Sequence, residues 1–372
     1  MSTQTAHPDT IRTAPLRDDA LDVLVIGAGQ AGLAVAYHLR QAGLRFLVVD
    51  GAAEVGSAWR SRWDSLTLFT PAQYDALPGM AFPARADTYP TATDVADYLE
   101  AYALRFDLPI VLNTRVTRLR RDGGRYLVDT SEGPQHARQV VVATGPFQTP
   151  VVPAISADLG DGVRQLHSAE YRNPAQIGAG PVVVVGAGNS GRQIALELAA
   201  THQVILAVGS EPMQLPQRIL GRDLFWWLSK SGLLSKAADS RVARRMRARG
   251  DLVIGTPLVE LRNAGVEIRP GLTAAHRNGL TFADQTHCQL ATVIWATGYR
   301  SDYSWIDVPG SVADHEGRHT VEHDRGMTTV PGLTFIGLPW QHTRGSALLG
   351  FVKDDAKWVA ERVIAAAAVP RA

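Results

Sequence analysis

The sequence predicts an α/β protein made of two parallel-sheet units, with one unit inserted into the other. Two observations support this prediction. The segment VLVIGAGQAG at 23–32 runs a β-branched strand into a Gly-x-Gly-x-x-Gly turn, and VVVVGAGNSG at 182–191 repeats the pattern. A helical pattern and a second apolar strand follow each turn, which is the strand–helix–strand order of a parallel sheet.

The remaining elements follow from residue periodicity, taken in chain order. After Gly32, LAVAYHLRQAG predicts an amphipathic helix closed by Gly43, and FLVVD predicts a buried strand that ends on Asp50. Val95–Phe106 predicts a helix, and the alternating stretches RYLVDT and ARQVVVATG predict strands. After Gly191 come the helix RQIALELAA and the strand QVILAV, and later the strand within GLTFIGLPW and a last helix in FVKDDAKWVAERVIAAAA.

Two matching strand ends set the expected domain limits. Apolar strands end in Ala-Thr-Gly at 143–145 and again at 296–298, so the same turn closes each unit. Residues 1–19 are polar and lack the apolar core of a signal peptide, so we expect a disordered lead-in there. The predicted domains are a first domain at 20–150 and 296–372 and an inserted second domain at 151–295, which carries a helical insertion at 212–250.

Length and composition are those of an ordinary globular protein. The chain has 372 residues, of which 45% are hydrophobic and 20% are charged, and its net charge is +1. This balance favours neither a nucleic acid nor a membrane as a partner. The single cysteine, Cys288, excludes an intramolecular disulfide and a Cys-x-x-Cys redox pair, and it fits a cytoplasmic location.

The first glycine turn has every part of a dinucleotide-binding motif. Gly27 lets the chain turn off the strand, Gly29 lets the backbone approach a pyrophosphate, and Gly32 lets the helix pack close to the sheet. The pyrophosphate then lies at the positive end of the helix. Asp50 ends the second strand about 20 residues on, where an acid bonds the ribose hydroxyls. We therefore predict a dinucleotide site here, with a purely structural turn as the alternative.

The second turn repeats these roles with Gly186, Gly188 and Gly191, but no acid ends its second strand, which runs into Gly209 and Ser210. An acid there would repel the extra phosphate of NADP, so its absence favours NADP over NAD. The candidates for contact with that phosphate, each with a solvated surface arginine as the alternative, are Arg192, Arg218 and Arg222.

One turn with an acid and one without it predict two different nucleotides. The N-terminal position of the first turn and the spacing to Asp50 favour FAD there. The second turn would then take NADPH, with hydride passing from the nicotinamide to the flavin. The predicted fold is therefore α/β with two Rossmann-like dinucleotide-binding domains, the NADP domain being inserted in the FAD domain.

Five segments carry a resemblance to a known family: GAGQAG at 27–32, GSAWRSRWDSLTLFTPAQYDALPGMAFP at 56–83, GAGNSG at 186–191, ATGYR at 296–300 and GSALLG at 345–350. Together these segments span nearly the whole chain. In their order and spacing the chain resembles the flavin-containing monooxygenases, and it is similar to the plant indole-pyruvate monooxygenases and their bacterial relatives. The resemblance implies that NADPH reduces FAD and that the reduced flavin forms a C4a-(hydro)peroxide with O₂. One oxygen atom then passes to a small organic substrate, while bound NADP⁺ shields the adduct from water.

The chain departs from the family pattern at several positions. It keeps the His-x-x-x-Tyr half of the fingerprint at His167 and Tyr171, but Asp161 and Val163 stand at the Phe and Gly positions. Tyr171 favours the flavin-containing branch over the Baeyer–Villiger monooxygenases, which close this motif with Trp. Thr70 stands where many heteroatom-oxidising members carry asparagine, which leaves a carbonyl substrate open.

The expected site residues combine the motifs with the resemblance. Gly209 stands where many family members carry an NADP-binding arginine, so use of NADH stays open. The predicted catalytic residues are Thr70, Arg60, His342 and Arg344, the last two lying just before a helix whose positive end would face the flavin. The predicted cofactor-binding residues are Gly27, Gly29, Gln30, Ala31, Gly32, Asp50, Gly51, Trp59, Arg60, Ala143, Thr144, Gly145, Gly186, Gly188, Asn189, Ser190, Gly191, Ser210, Arg218, Ala296, Thr297, Gly298, Tyr299 and Leu348.

Structural roles compete with several of these assignments. His167 either orients the linker between the domains or is a satisfied structural histidine. Arg60 and Trp59 either approach the FAD or pack within the fold. The cluster at 225–227, Phe-Trp-Trp, either lines a substrate entrance or packs an amphipathic helix. The basic run RVARRMRARG is expected to be a solvated helix face, with an NADP phosphate contact or a dimer surface as alternatives.

The sequence therefore predicts an FAD-dependent, NADPH-consuming monooxygenase whose partners are a small-molecule substrate and O₂. Three alternatives stay open: an NAD(P)H-dependent flavin reductase or oxidase without oxygenation, Baeyer–Villiger oxygenation of a ketone, and a redox-sensing protein without turnover. No metal is expected, because the histidines are scattered. A homodimer is left open.

Overall fold

The computed structural model describes residues 21–210, 212–248, 250 and 252–368. The lead-in predicted at 1–19 lies outside the described residues. Two sheets with parallel cores dominate the described part of the chain, and we call them the first and the second sheet. The predicted α/β fold with two Rossmann-like sheets is confirmed.

The first sheet is centred on the strand that enters the first glycine turn. Leu21–Ile26 pairs in parallel with Phe46–Val49 on one side and with Gln135–Val142 on the other. From Val23 to Ile26 both faces of this strand are covered, which agrees with four consecutive apolar residues there. The eight described strands lie in the order Ile306–Asp307, Val116–Asp122, Arg125–Thr130, Gln135–Val142, Leu21–Ile26, Phe46–Val49 and Ile110–Val111, with Leu333–Phe335 paired to Gln135–Val142.

The second sheet repeats this plan around the second glycine turn. Its central strand, Val182–Val185, lies between Val204–Val208 and Thr292–Trp295, and the described pairings in this sheet are all parallel. The five described strands lie in the order Glu267–Pro270, Val204–Val208, Val182–Val185, Thr292–Trp295 and Arg164–His167.

Helices cover one face of each sheet, and strands and irregular segments cover the opposite face. The helix after the first turn packs against the C-terminal helix in one apolar core, through side chains such as Leu33 and Val359. Thr91 and Asp94 form a capping box, so the third helix begins three residues before the predicted Val95. The described α-helices are α1 (Gln30–Gln41), α2 (Ser57–Arg60), α3 (Ala92–Arg105), α4 (Asn189–Leu198), α5 (Leu224–Lys230), α6 (Arg241–Ala248), α7 (Leu258–Asn263) and α8 (Val352–Ala367). Among the described residues, no helix has both the length and the apolar character that a membrane crossing requires.

The insertion predicted to be helical at 212–250 is a mixed segment. Besides α5 and α6 it contains a short hairpin, and Gln214–Leu215 pairs with Val253–Ile254 beyond the predicted end. Strands of two residues show no alternation, so periodicity could not reveal them. The short strand groups outside the two sheets are Arg218–Ile219 with Arg222–Asp223, Leu272–His276 with Gly279–Phe282 and His287–Gln289, Tyr299–Arg300 with Thr149–Pro150, and Ala313–His315 with Arg318–Thr320.

Candidate functional site

The three glycines of the first turn have different surroundings. A Cβ on Gly27 would lie 2.6 Å from the Ala143 carbonyl oxygen, and a Cβ on Gly32 would lie 1.9 Å from the Gly27 carbonyl oxygen. These two glycines allow the strand, the turn and α1 to approach closely. A Cβ on Gly29 would meet no atom of the described residues within 4 Å, so the turn opens onto free space at that point.

That open space lies at the N-terminus of α1. Gly29 is the N-cap and carries no side chain to accept hydrogen bonds from the first N–H groups, which belong to Gln30, Ala31 and Gly32. Free N–H groups and the positive end of the helix attract an anion. The turn therefore fits the pyrophosphate of a dinucleotide.

Asp50 is held beside the same turn. Its Oδ2 accepts a hydrogen bond from the backbone N–H of Ala28 (2.7 Å), and its Oδ1 accepts one from Ala52 (2.8 Å). A carboxylate offers about four acceptor positions, so two bonds leave capacity for a ribose hydroxyl. The adjacent Gly51 is exposed. The acid that the spacing predicted is thus fixed at the edge of the turn.

Gln30 joins the turn to two distant segments. Its Oε1 accepts a hydrogen bond from the indole N–H of Trp59 (3.1 Å), and its amide donates to the carbonyl of Ala347 (3.4 Å). Leu348 and the start of α8 are thereby placed next to α1. The predicted positions Gln30, Trp59 and Leu348 therefore come together, although more than 300 residues separate the first and the last.

The segment 340–346 is a loop with hydrogen bonds between its own residues. The buried Ser346 hydroxyl accepts hydrogen bonds from the N–H groups of His342 (3.0 Å) and Thr343 (2.9 Å). The Arg344 guanidinium lies 5.8 Å from the ring centroid of Trp340. His342 and Arg344 are half-buried next to the start of α8.

Gln341 anchors this loop, a role that the sequence did not reveal. The side chain is buried and donates to the carbonyls of Arg325 (3.1 Å) and Phe335 (3.2 Å). Its Oε1 accepts a hydrogen bond from the N–H of Leu338 (3.2 Å). These partners are 3 to 16 residues away. Phe335 ends the strand Leu333–Phe335 and the other two lie on irregular backbone, so no periodic pattern describes the three contacts.

Thr70 is buried and is paired with a carboxyl that sequence reasoning missed. Its hydroxyl donates to Oδ1 of Asp75 (2.6 Å). Burial raises the pKa of Asp75 to about 7, while the Thr70 hydrogen bond acts in the opposite direction. The available signal was one acid inside the mostly uncharged segment TPAQYDALPG.

The Arg60 side chain forms ion pairs with acidic residues of its own predicted domain. Its guanidinium donates to Asp97 (2.7 Å) and Glu100 (2.8 Å) of α3 and lies 3.5 Å from Glu54. The hydrogen bond to Asp97 is the main reason why its pKa is raised. This arrangement supports the structural alternative for Arg60 and does not support a catalytic role. The sequence could not show it, because the acidic partners lie on a helix that begins 32 residues later.

The second turn reproduces the geometry of the first. A Cβ on Gly186 would lie 2.4 Å from the Ala296 carbonyl oxygen, and one on Gly191 would lie 1.9 Å from the Gly186 carbonyl oxygen. Gly188 again faces open space at the N-terminus of α4, next to Ser190. The second turn therefore fits a second pyrophosphate by the same argument.

The Asn189 side chain connects this turn to the inserted segment. Its Oδ1 accepts a hydrogen bond from the N–H of Ile254 (3.0 Å), and its amide donates to the carbonyl of Leu252 (3.3 Å). The Asn189 side chain therefore holds the strand Val253–Ile254 over the turn. Its backbone N–H remains in the first turn of α4, where the prediction places a phosphate.

The predicted phosphate contacts lie in different environments. Ser210 is exposed just past Val204–Val208, and Arg218 is exposed in the hairpin, where it donates to the Gly221 carbonyl (3.3 Å). Arg192 is buried, with hydrogen bonds to the Ala187 carbonyl (2.9 Å) and the Gln214 side chain (2.6 Å). This burial supports a structural role for Arg192.

The segment that follows the first Ala-Thr-Gly turn contacts the second one at the junction between the sheets. The Thr144 hydroxyl accepts a hydrogen bond from Gln148 (2.9 Å), and the Thr297 hydroxyl donates to the Val151 carbonyl. Arg62 donates to the hydroxyl of Tyr299 (2.6 Å). The junction residues predicted from the turns are Ala143, Thr144, Gly145, Ala296, Thr297, Gly298 and Tyr299.

His167 lies in the same junction with both ring nitrogens used. Its Nε2 is 3.0 Å from the carbonyl oxygen of Gly298, and its Nδ1 accepts a hydrogen bond from the N–H of Ala169 (3.1 Å). Because a carbonyl only accepts, Nε2 carries the proton and the ring is neutral. Burial lowers its pKa accordingly. This geometry supports His167 as a link between the domains.

Comparison with known proteins agrees with these features. The profile of the pyridine nucleotide-disulphide oxidoreductase family matches residues 24–219. A probable indole-3-pyruvate monooxygenase of Arabidopsis thaliana, YUCCA9, is 32% identical over 76% of each chain. A flavin-containing monooxygenase from Stenotrophomonas maltophilia superposes with a TM-score of 0.78 at 30% identity, over 93% of this chain and 99% of that one. The chain belongs to the flavin-containing monooxygenase family.

This family membership makes the protein a flavin-dependent oxidoreductase with FAD and NADP(H) as its cofactors. Another similar protein is the uncharacterized CzcO-like oxidoreductase of Geobacillus kaustophilus, which is 45% identical over 92% of this chain and 98% of the relative. Cyclohexanone monooxygenase shares the fold, with a TM-score of 0.70 at 17% identity. The predicted resemblance to flavin-containing monooxygenases is thus confirmed.

Proposed function

We propose that this flavin-dependent monooxygenase consumes NADPH and transfers one oxygen atom from O₂ to a small organic substrate. The observation that carries the proposal is the pair of glycine turns with matching geometry. Asp50 lies beside the first turn, whereas the strand that follows the second turn leads into Gly209 and Ser210 and has no acid at its end. Two glycine turns of the same geometry, followed by strands with different end residues, fit two different nucleotides. Loss of either nucleotide would stop turnover.

The first turn holds FAD and the second holds NADPH. The N–H groups at the start of α1 bind the FAD pyrophosphate, and Asp50 bonds the ribose. The N–H groups at the start of α4 bind the second pyrophosphate. Since Gly209 and Ser210 provide neither an acid nor an arginine, NADH remains an alternative reductant. We place the FAD domain at 20–150 and 296–372 and the NADPH domain at 151–295.

FAD, when bound, supplies the redox chemistry that activates O₂. The chain contributes a water-excluding wall, which we call the aromatic cluster: Phe69, Tyr74, Phe225 and Phe351, whose neighbouring ring centroids are 5.9–6.3 Å apart. Leu348 packs against the same cluster. A wall of this kind would keep water from the bound flavin and so limit side reactions with solvent.

Four side chains remain candidates for contact with the flavin or the substrate. Thr70 lies directly after Phe69, at the edge of the aromatic cluster. His342 and Arg344 lie in the loop before α8. Arg60 is a weaker candidate than these three, because three carboxylates already surround its guanidinium. The plant relatives are named for indole-3-pyruvate, which is a 2-oxo acid. Thr70 is therefore compatible with a carbonyl substrate of this kind as well as with a heteroatom substrate.

The test is turnover by the purified protein reconstituted with FAD. NADPH oxidation and O₂ uptake are measured against amines, sulfides, ketones and 2-oxo acids, and the products are identified. We expect one oxygen atom in the product for each NADPH consumed with the preferred substrate. NADPH consumption that yields only hydrogen peroxide across the panel would favour the oxidase alternative. A protein that binds no FAD would overturn the proposal.

A further inference from the structure

Thr70 and Asp75 form an isolated polar pair. The Thr70 hydroxyl donates to Oδ1 of Asp75, and both side chains are buried. Oδ2 of Asp75 is buried as well and has no hydrogen-bond partner within the described residues. A buried carboxylate with one hydrogen bond is costly, because an ion in an apolar interior needs several partners. A buried carboxyl without compensating partners, close to the proposed cofactor site, is a candidate for a functional role.

The pair lies at the wall of the proposed flavin site. The Cβ of an alanine at position 350 would lie 1.8 Å from the Tyr74 carbonyl oxygen and 2.8 Å from Cα of Asp75, so the loop before α8 packs directly on this segment. The same loop reaches α1 through the hydrogen bond between Gln30 and Ala347. The glycine turn, the loop and the polar pair thus meet in one region.

No neighbouring charge compensates Asp75 in the described part of the chain; its pKa responds to burial and to Thr70. On α3, the Tyr98 hydroxyl accepts from the Leu77 N–H (2.7 Å) and donates to the Met80 carbonyl (2.8 Å), so its proton is used elsewhere. Tyr74 is the adjacent phenol. On α8, the first turn carries Asp354 and Asp355, and Asp355 is paired with Arg325.

The two protonation states orient the Thr70 hydroxyl differently. When Asp75 is ionised, Thr70 donates to it, and only the lone pairs of the hydroxyl oxygen face other partners. When Asp75 is protonated on Oδ1, the acid donates to Thr70, and the hydroxyl proton turns away from Asp75. A proton on Oδ2 would have no acceptor, so Oδ1 is the favoured position.

We propose that Asp75 is a positioning residue that decides, by gaining or losing a proton, whether Thr70 offers a hydrogen-bond donor or an acceptor to the bound flavin. This inference rests on the proposed function, because it requires that Thr70 faces the flavin. Ionised Asp75 leaves Thr70 as an acceptor, which suits an N–H group of the flavin. Protonated Asp75 leaves Thr70 as a donor, which suits a flavin nitrogen or oxygen that carries a lone pair.

The first experiment follows the Asp75 carboxyl in the protein without FAD. Infrared spectra between about pH 5 and pH 9 monitor the C=O stretch of a protonated carboxylic acid. We expect one such band that titrates with a midpoint at about 7, disappears in Asp75→Asn and survives in Asp107→Asn, an exposed control. Thr70→Val should move the midpoint to higher pH, because it removes the bond that stabilises the ionised form, while Thr70→Ser should leave it in place. Titration in the ordinary aspartate range would overturn the inference.

The second experiment follows the flavin. The visible spectrum of bound FAD is recorded over the same pH range, and we expect an inflection at the midpoint of the carboxyl band. Asp75→Asn and Thr70→Val should each abolish the inflection, and Thr70→Ser should keep it. A carboxyl band that titrates while the flavin spectrum stays constant refutes the coupling but leaves the proposed function intact. Failure to bind FAD refutes the proposed function, and the coupling with it.

Discussion

The carboxylate of Asp50 accepts a 2.7 Å hydrogen bond from the backbone N–H of Ala28, which lies between the first two glycines of the first turn. The strand end and the turn are therefore locked together before any nucleotide arrives. Asp50→Asn loses the charge and turns one acceptor into a donor. Because a hydrogen bond to a charged group is worth about 1.5–3 kcal/mol, we expect FAD to bind roughly 10–100-fold more weakly. Titration of the apoprotein with FAD measures this change.

Asp22→Asn is the matched control for that experiment. Asp22 also accepts a backbone N–H, from Arg45 (3.1 Å), but it lies at the opposite end of the strand from the turn. Its replacement should leave FAD affinity unchanged. Wild-type affinity in Asp50→Asn would show that the acid does not contact the nucleotide.

The open space at Gly29 and Gly188 allows the two turns to be tested separately. Across the part of the chain that the structure describes, a methyl group at either position meets no atom within 4 Å, so both alanine variants should fold. Gly29→Ala should lose FAD, because the methyl group occupies the pyrophosphate position. Gly188→Ala should keep FAD and raise the KM for NADPH by about 10-fold or more, which corresponds to a loss of about 1.4 kcal/mol. Flavin content and steady-state kinetics measure the two effects.

Gly32→Ala is the contrasting variant, because position 32 is crowded whereas positions 29 and 188 are open. Its methyl group would lie 1.9 Å from the Gly27 carbonyl oxygen, so this variant should unfold at a lower temperature whether or not a nucleotide is present. Equal loss of flavin in Gly29→Ala and Gly188→Ala would show that the two turns are assigned to the wrong cofactors.

Because of His167, the free energy of unfolding should decrease as the pH becomes acidic. Burial holds its folded-state pKa below the unfolded value of 6.5, so the unfolded chain binds a proton more readily. The contribution of His167 to stability is complete above 6.5 and is lost as pH falls through the folded-state pKa. His167→Gln should unfold more easily at neutral pH, by about 1 kcal/mol, and should lose less stability between about pH 7 and pH 5. Thermal unfolding at several pH values tests this, with His315→Gln at an exposed position as the control.

The ion pair between Arg325 and Asp355 should matter for the stability of the last helix. Arg325 Nε is 2.7 Å from Oδ1 of Asp355, whose side chain is almost fully buried. Asp355→Asn removes the charge that balances a largely buried arginine, and we expect the free energy of unfolding to fall by about 3 kcal/mol. Denaturant titration measures the change.

Asp107→Asn is the companion variant for this pair. Asp107 pairs with Arg40 at an exposed site, where such pairs contribute less than about 1 kcal/mol. Asp107 also has a φ of 45°, which asparagine tolerates. A loss in Asp107→Asn as large as that in Asp355→Asn would contradict the argument from burial.

The parts that could be predicted from the sequence are those set by neighbouring residues. The strands through Val25 and Val184 are apolar runs with both faces buried, and the helix α4 has the period of one buried stripe. In α1 the residues 31–36 are all buried, so the first half of that helix is covered on every side. The position of Asp50 also follows, because the strand between α1 and the acid has a fixed length.

The parts that could not be predicted depend on contacts between distant segments. Two of the three acids around Arg60 lie on α3, and Gln341 donates to carbonyls of two other segments. The burial of Asp75 depends on the close approach of Gly350, which is 275 residues away in the chain. Periodicity describes which face of an element is apolar and contains no information on such pairings.

The packing of α1 against α8 has a consequence for synthesis of the chain. These helices share one apolar core, yet the whole second sheet is made between them. At about 5–20 residues per second, a ribosome needs roughly 15–60 s to travel from the end of α1 to the start of α8. During that interval the second sheet can complete its own core, whereas the apolar side of α1 cannot yet pack against α8. The inserted half is thus expected to mature first on the ribosome, and the half with the first glycine turn to close last.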